Sequence, residues 1–397
     1  MTIPISDKIL VFTDLHFGIH SNSQSYIDIC SNTLKWISNY CSKNSIKDIV
    51  FMGDFFDSRA SIDVKTLNSA TQSLYELADS GVNISLILGN HDIYLRDSTS
   101  IHSLLAFGGR NGIEVVDTPS IRLNKNGDSI LFLPWLYGSQ SKKITVPENT
   151  KLVFSHHNFP PSFFMGATKK KTNRSDTYSS RTPYEDEYGI QQEVLETVVK
   201  NEGLFFSGHI HQRKEIPVGK SSKIIIEGSP YETSWGFGGV KCGAYVVDTI
   251  NADYEFVENP FNMVHAEIRT SSPDEDFNKI DFPRSIVRLN VDTQESFDTI
   301  SKLQAKINSK KPFAVENTKY EFTVAEFVGS RDEKNDGTVQ QTVSGKVFSK
   351  LDYVLNAIDK SDFSMFSFIK DDETVHVDKR KLKDMATDLF ESGNKRA

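Results

Sequence analysis

The chain has little cysteine, no long apolar run and no excess of positive charge, and each shortage excludes something. Cys30, Cys41 and Cys242 are the only three cysteines in 397 residues, and none is spaced as CxxC. That odd, scattered set excludes a disulfide framework and a zinc knuckle, and reads as small core residues. No stretch of 18 apolar residues occurs, so no segment reads as a membrane-spanning helix and no membrane partner is expected. The N-terminus enters a strand without a basic region and apolar leader, which makes the cytoplasm the expected location. The formal net charge is −8, without the basic footprint that phosphate-binding surfaces usually leave. Nucleic acid is not thereby excluded, because divalent cations would add positive charge at the site itself. The Gly-rich run from Gly228 to Gly239 lacks both the GxGxxG and the P-loop pattern, so it is not a nucleotide cradle.

What remains is an ordinary globular composition, 38% hydrophobic, 25% charged and 11% aromatic, in a chain long enough for two or three domains. The organising stretch is VFMGDFFD, Val50 to Asp57. An apolar strand there meets Gly53, and Asp54 and Asp57 follow on the loop beyond it. A lone GDxxD is no more than an Asp-rich turn. Four further strands, however, end the same way. Lys8–Phe12 leads to Asp14 and His16, which period-two alternation points to one side. Asn83–Leu88 leads to Asn90, His91 and Asp92, Leu152–Ser155 to His156 and His157, and Leu204–Ser207 to His209 and His211. Helical spacing of Ile27, Cys30, Leu34, Ile37 and Cys41, and of Leu67, Ala70, Leu74, Leu77 and Ala78, predicts helices between the first three strands, hence parallel crossovers.

Carboxylates, imidazoles and an amide oxygen without a thiolate suit two divalent ions, manganese, iron or zinc rather than magnesium or copper. Asp54 is the carboxylate to be shared. Two ions held by one Asp clamp both the attacking and the leaving oxygen of an in-line phosphoryl displacement, with an ion-activated water as nucleophile. No Ser, Cys or Thr with a paired base competes for that role.

Further along, Pro160 to Glu187 has no period and interleaves Phe163, Phe164, Lys169, Lys170, Lys171, Arg174 and Tyr178. Such a segment reads either as a nucleic-acid contact or as a solvated loop. Beyond Pro260 a strand (Arg284–Val291), a helix (Glu295–Ile307) and one or two strands (Phe313–Val328) predict a small α+β unit. Apolar stripes at Val347 to Ile358 and Leu382 to Phe390 predict two C-terminal helices, which either bind a partner or pack on their own domain.

Taken together, DLH at Asp14, GDFFD at Gly53, GNHD at Gly89, SHH at Ser155 and GHIH at Gly208 resemble, in order and spacing, the five motifs of calcineurin-like metallophosphoesterases. Within that superfamily the chain is most similar to the SbcD-type nuclease subunit of the double-strand-break repair complex, including its phage recombination versions. LPW at Leu133 and the GSPYETSWG segment add to this likeness. The resemblance implies an α/β, four-layer αββα sandwich over residues 1–260, a small α+β capping domain over 261–330, and a linker with a C-terminal helical segment over 331–397. It assigns Asp14, His16, Asp54 and His211 to a first metal ion and Asp54, Asn90, His156 and His209 to a second, most readily Mn(2+). His91 would be catalytic, protonating the leaving 3′ oxygen, with Asp92 orienting its ring. Choosing His156 over His157 rests on the motif alignment alone. Asp57 stands where some relatives carry a second histidine. DNA as substrate, a homodimer, and an SbcC-type, SMC-like ATPase bound by the C-terminal helices complete what the resemblance implies, in a bacterial or phage-infected cell. The rival readings are a phosphoesterase for small diesters or phosphoproteins, and a scaffold that has lost its metals.

Overall fold

The strongest apolar runs form the middle of two sheets. β1 (Lys8–Phe12), β2 (Asp48–Phe51), β3 (Asn83–Ile87) and β4 (Ile113–Val116) are buried at most positions, most completely in β1 and β2, the pattern of parallel strands covered on both sides. This computed structural model describes residues 5–95, 98–136, 144–159, 192–237, 240–293, 295–320, 367–370, 373–376, 380 and 383–384. The expected basic segment with Lys169, Lys170, Lys171 and Arg174, and both apolar stripes of the C-terminal segment, lie outside the described residues. The chain divides into two compact units, Met1–His265 and Ala266–Ala397.

In the first unit, one six-stranded sheet runs β12-β11-β1-β2-β3-β4, with β11 (Gly243–Asp248) and β12 (Asp253–Glu258) antiparallel at its edge. The second runs β5-β6-β7-β8-β10-β9, from β5 (Ser120–Leu123), β6 (Ser129–Leu133), β7 (Thr150–Ser155), β8 (Leu204–Ser207), β9 (Lys214–Val218) and β10 (Ser222–Ile226). Here β6, β7, β8 and β10 are parallel. Alternate residues of both sheets, Val11, Val50 and Ile87 from one and Phe132, Phe154 and Phe206 from the other, share one apolar cluster. The sheets therefore pack face to face.

The opposite faces are covered by helices. α1 (Gln24–Lys43) and α2 (Val64–Asp79) are the crossovers among β1, β2 and β3, and each buries one apolar stripe. α3 (Gln192–Lys200) packs Val194, Leu195 and Val198 against Val153, Phe205 and Ile224 on the outside of the second sheet. The result is the four-layer αββα sandwich. α2 starts where the Asp63 side chain accepts from the amides of Lys65 and Thr66, and stops at Ser80, ahead of Gly81 at φ 84°.

The second unit is a small α+β assembly. β13 (Val264–Arg269), β14 (Ser285–Val291) and β15 (Ala314–Val315) are neighbours in order, and β16 (Lys319–Tyr320) also pairs with β14. Ile268, Val287, Leu289, Ile300 and Ile307 form its core, with α4 (Pro273–Lys279) and α5 (Phe297–Ser309) contributing Phe277 and Ile300. A hairpin, β17 (Ser367–Lys370) with β18 (Glu373–His376), follows. The sequence pattern did not predict this hairpin, nor β5, β9, β12, β13 and α4.

Because Phe154 is fully buried between the rings of Phe132 and Phe206, at 5.6 and 5.4 Å, truncating it leaves a cavity between the sheets. Phe154→Ala should lower stability by about 3–5 kcal/mol. Urea unfolding checks this, through a lower midpoint at unchanged slope; a loss below about 1 kcal/mol would contradict the packing described.

Candidate metal centre

All five polar clusters lie just beyond the C-terminal ends of parallel strands, three from the first sheet (β1, β2, β3) and two from the second (β7, β8). Backbone bonds zip the loops together. Asp14 N–H donates to Gly53 O (3.0 Å), His16 N–H to Asp54 O (3.0 Å) and Gly208 N–H to Ser155 O (3.0 Å). Asp14, His16, Asp54 and His209 adopt φ of 54°, 49°, 58° and 76°. Non-glycine residues rarely hold left-handed backbone, and when they do it tends to be at functional sites. Asp14 and His16 thus converge through a left-handed turn, not through the strand alternation that the sequence pattern invoked.

Among the described residues three groups of side chains result. Asp14, His16 and His211 form the first, Asp54, His156 and His209 the second, and a third reuses His16 with Asp57 and His91. In the first, His16 Nε2 and His211 Nε2 each lie 3.5 Å from Asp14 Oδ1 and 3.0 Å from each other. In the second, His156 Nε2 lies 3.1 Å from Asp54 Oδ2, and His209 Nδ1 lies 2.8 Å from Asn90 Oδ1. Asp54 Oδ2 is also 3.6 Å from His16 Nε2, so one carboxylate oxygen faces both of these groups.

The electrostatics are those of a site short of positive charge. Burial opposes a proton on His16, yet Asp14, Asp57 and Asp54 outweigh it and raise its pKa to about 10. His156 rises to about 9 in the same way, with Asp54 and Asp14 overcoming burial. Burial raises the carboxylates, but the neighbouring imidazoles hold Asp14 down at about 2 and Asp54 well below the usual carboxylate range. Meanwhile Asp14 Oδ1 and His156 Nε2 are buried and make only these close ionic contacts, with no well-aligned hydrogen bond. Divalent cations would replace the protons and satisfy these atoms, so the donor set fits two of them.

Outer atoms fix the rings. His156 Nδ1 lies 2.6 Å from Met52 O, His211 Nδ1 lies 2.9 Å from Thr233 Oγ1, and His16 Nδ1 lies 3.4 Å from Asp57 Oδ1. Such contacts set the tautomer that leaves the inner nitrogen available. Asp57 therefore has a place that its sequence motif did not reveal. Its backbone carbonyl also meets Nδ1 of His91.

Asp92 requires a correction. The expectation was that its carboxylate orients His91. Instead it points into the loops, accepting from the amides of Gly89 and Asp54, both at 2.9 Å, and of Phe55 at 3.0 Å. Burial and the Asp54 charge push its pKa up to about 7, and these amides pull against them. Asp92 is a clamp for the loop carrying Asp54. His157, adjacent to His156, stacks on Trp135 at 5.7 Å and faces the Leu136 amide at 3.4 Å. Burial, then His156 and His209, lower its pKa to about 3, which makes it a neutral core histidine.

Two glycines permit the close approach of the loops. A Cβ on Gly89 would come within 2.2 Å of Asp54 Oδ1, and one on Gly208 within 2.2 Å of Thr13 Oγ1. Thr233, 22 residues from His211, is the contact that sequence reasoning missed, and nothing in local spacing could have found it.

The calcineurin-like phosphoesterase family model matches residues 7–213, which include all five clusters. Exonuclease subunit 1 of Enterobacteria phage T4 is 24% identical over 257 residues, covering 64% of this chain and 68% of that protein. A dimetal phosphatase from Danio rerio aligns with a TM-score of 0.36 at 11% identity, over 62% of this chain and 93% of the other. No helix among the described residues is long and apolar enough to cross a membrane. The chain belongs to the calcineurin-like phosphoesterase family and is a metal-dependent hydrolase.

Proposed function

We propose that the chain is a two-metal DNA nuclease that hydrolyses phosphodiesters during double-strand-break processing and recombination. The observation carrying this reading is Asp54 Oδ2, 3.1 Å from His156 Nε2 and 3.6 Å from His16 Nε2, one oxygen facing the first and second side-chain groups. The first ion would be held by Asp14, His16, Asp54 and His211, the second by Asp54, Asn90, His156 and His209. Manganese suits these oxygen and imidazole donors. When bound, the pair supplies Lewis-acid polarisation of the phosphodiester and activation of water.

The remaining roles belong to the chain. His91 is the proton donor to the leaving 3′ oxygen. Its amide donates to Asp54 Oδ1 at 2.8 Å and its Nδ1 meets the Asp57 carbonyl, which leaves Nε2 as the atom that exchanges a proton with substrate. Trp135, its ring centroid 5.0 Å from that of His209, packs beside the second group.

An exonuclease subunit among the relatives supports both a DNA substrate and a partner subunit. In this reading residues 1–260 are the nuclease domain, 261–330 a capping domain that helps position DNA, and 331–397 a linker and helical segment for an SbcC-type ATPase. Lys169, Lys170, Lys171 and Arg174 would contact DNA, in the cytoplasm of a bacterial or phage-infected cell. Exposed Leu95, Ile101 and Leu105 near the His91 loop suit a homodimer face.

Three predictions test this. Purified protein loaded with manganese should cleave linear DNA in preference to a nitrophenyl phosphate diester or a phosphopeptide, and chelation should abolish the activity; failure to cut DNA under any divalent metal, with or without an ATPase partner, would sink the nuclease reading. Asp54→Ala should lose both ions and all hydrolysis, whereas His91→Ala should lose hydrolysis by at least about 100-fold yet retain metal by elemental analysis. Loss of metal from His91→Ala would reassign that residue as a ligand. Finally, Ile101→Asp should shift a dimer to a monomer in sedimentation; a monomeric wild type would remove the dimer from this account.

A further inference from the structure

The GSPYETSWG segment was singled out by its sequence and has no part in the five motifs. In the fold it lies against the His211 side of the centre. Gly228, at φ 75°, starts it where a side chain would collide with the backbone of His211 and Arg213. Ser229 N–H then donates to His211 O at 2.9 Å. Of the three consecutive residues Tyr231, Glu232 and Thr233, the first and third are tied to the loops of the centre and the middle one to the segment around His265. The Tyr231 hydroxyl donates to Leu15 O at 2.7 Å, between Asp14 and His16. Glu232 Oε2 accepts from the His265 amide at 2.9 Å and lies 3.1 Å from its Nδ1, while the Glu232 amide donates to Asn262 Oδ1 at 2.8 Å. Thr233 Oγ1 lies 2.9 Å from His211 Nδ1, and Thr233 O lies 2.8 Å from His20 Nε2. Glu232 and Thr233 are 3% and 1% exposed, so neither competes with water for these bonds.

We propose that residues 231–233 are a positioning strap for the first ion, in which the Thr233 hydroxyl fixes the ring of His211 and Tyr231 and Glu232 fix Thr233. This rests on the two-ion reading of the centre. His211 needs such help more than His16 or His156 does, because its side chain is one-third exposed whereas theirs are enclosed. An imidazole exposed to this extent can rotate about its side-chain bonds. With Nδ1 bonded to Thr233, the ring keeps Nε2 toward Asp14 and His16, and Nδ1 carries the proton in the ion-binding tautomer. Thr233 is a positioning residue and touches no substrate.

The test titrates Mn(2+) into metal-free full-length protein, counting free ion by its paramagnetic resonance signal and bound ion by elemental analysis after gel filtration. Wild type should bind two ions. Thr233→Val, which keeps the shape but removes the hydroxyl, should bind one ion normally and the other about 10–100-fold more weakly. Thr233→Ser should restore the second, a rescue that a purely packing role for the methyl group would not give. Thr233→Ala repeats the measurement without a methyl facing the imidazole, so a fold defect in the valine variant does not decide the outcome. Two ions bound with unchanged affinity in the valine and alanine variants would overturn the strap and leave the two-ion reading standing. No ion bound by wild type would overturn both.

Discussion

The rest of this structure depends on holding the Asp54 carboxylate, buried and ionised, at the seam where the strand ends of two sheets meet. A buried carboxylate is costly unless charge and hydrogen bonds surround it. Here the backbone supplies part of that environment. Asp54 sits in left-handed conformation behind Gly53, its amide donates to Asp92, and its Oδ1 accepts from the His91 amide. Oδ2 is left facing His156 and His16. The side chain is thus fixed through its own loop and through the loop after β3, and Gly89 leaves the room for that contact. Any shift of either loop moves the oxygen common to the first two side-chain groups.

Much of this was legible in the sequence, for a definite reason. Strands β1, β2, β3, β7 and β8 are short apolar runs, and each is followed within three residues by Asp, Asn or His. A strand period that ends in a polar cluster is a local signal, and five of them in one chain define a site before any contact is known. What was illegible is long-range or conformational. Edge strands such as β9, with Pro217 inside it and only Ile216 buried, carry too little apolar content to stand out. The clamp made by Asp92 depends on which amides the loops of β2 and β3 turn inward. Asp14 and His16 meet through positive φ, which no side-chain periodicity encodes. His157 has the same sequence neighbourhood as His156, and only tertiary contacts separate the two: His157 stacks on Trp135 whereas His156 faces Asp54.

The ring nitrogens facing away from the centre explain why the motif residues alone do not make a site. Each of His16, His156 and His211 presents Nε2 inward, and each has its Nδ1 near a different kind of oxygen: a carboxylate, a backbone carbonyl and a hydroxyl. A carboxylate beside Nδ1 makes the imidazole a more basic donor than a hydroxyl does. The three histidines are therefore unequal partners for a cation, and the inequality comes from Asp57, Met52 and Thr233 rather than from the motif histidines.

The sandwich architecture turns this into a link between stability and function. Asp14, His16, Asp54 and Asn90 come from one sheet, and His156, His209 and His211 from the other. The distance between the two sets is set by side chains such as Phe132, Phe154 and Phe206, packed between the sheets. Without cations, the protons drawn onto His16 and His156 offset the carboxylate charge. Ions that displaced those protons would bind only the folded arrangement and so would add to its stability by mass action. The coupling would be reciprocal: a looser interior between the sheets would separate the two halves of this side-chain set and weaken the hold on any ion bound between them.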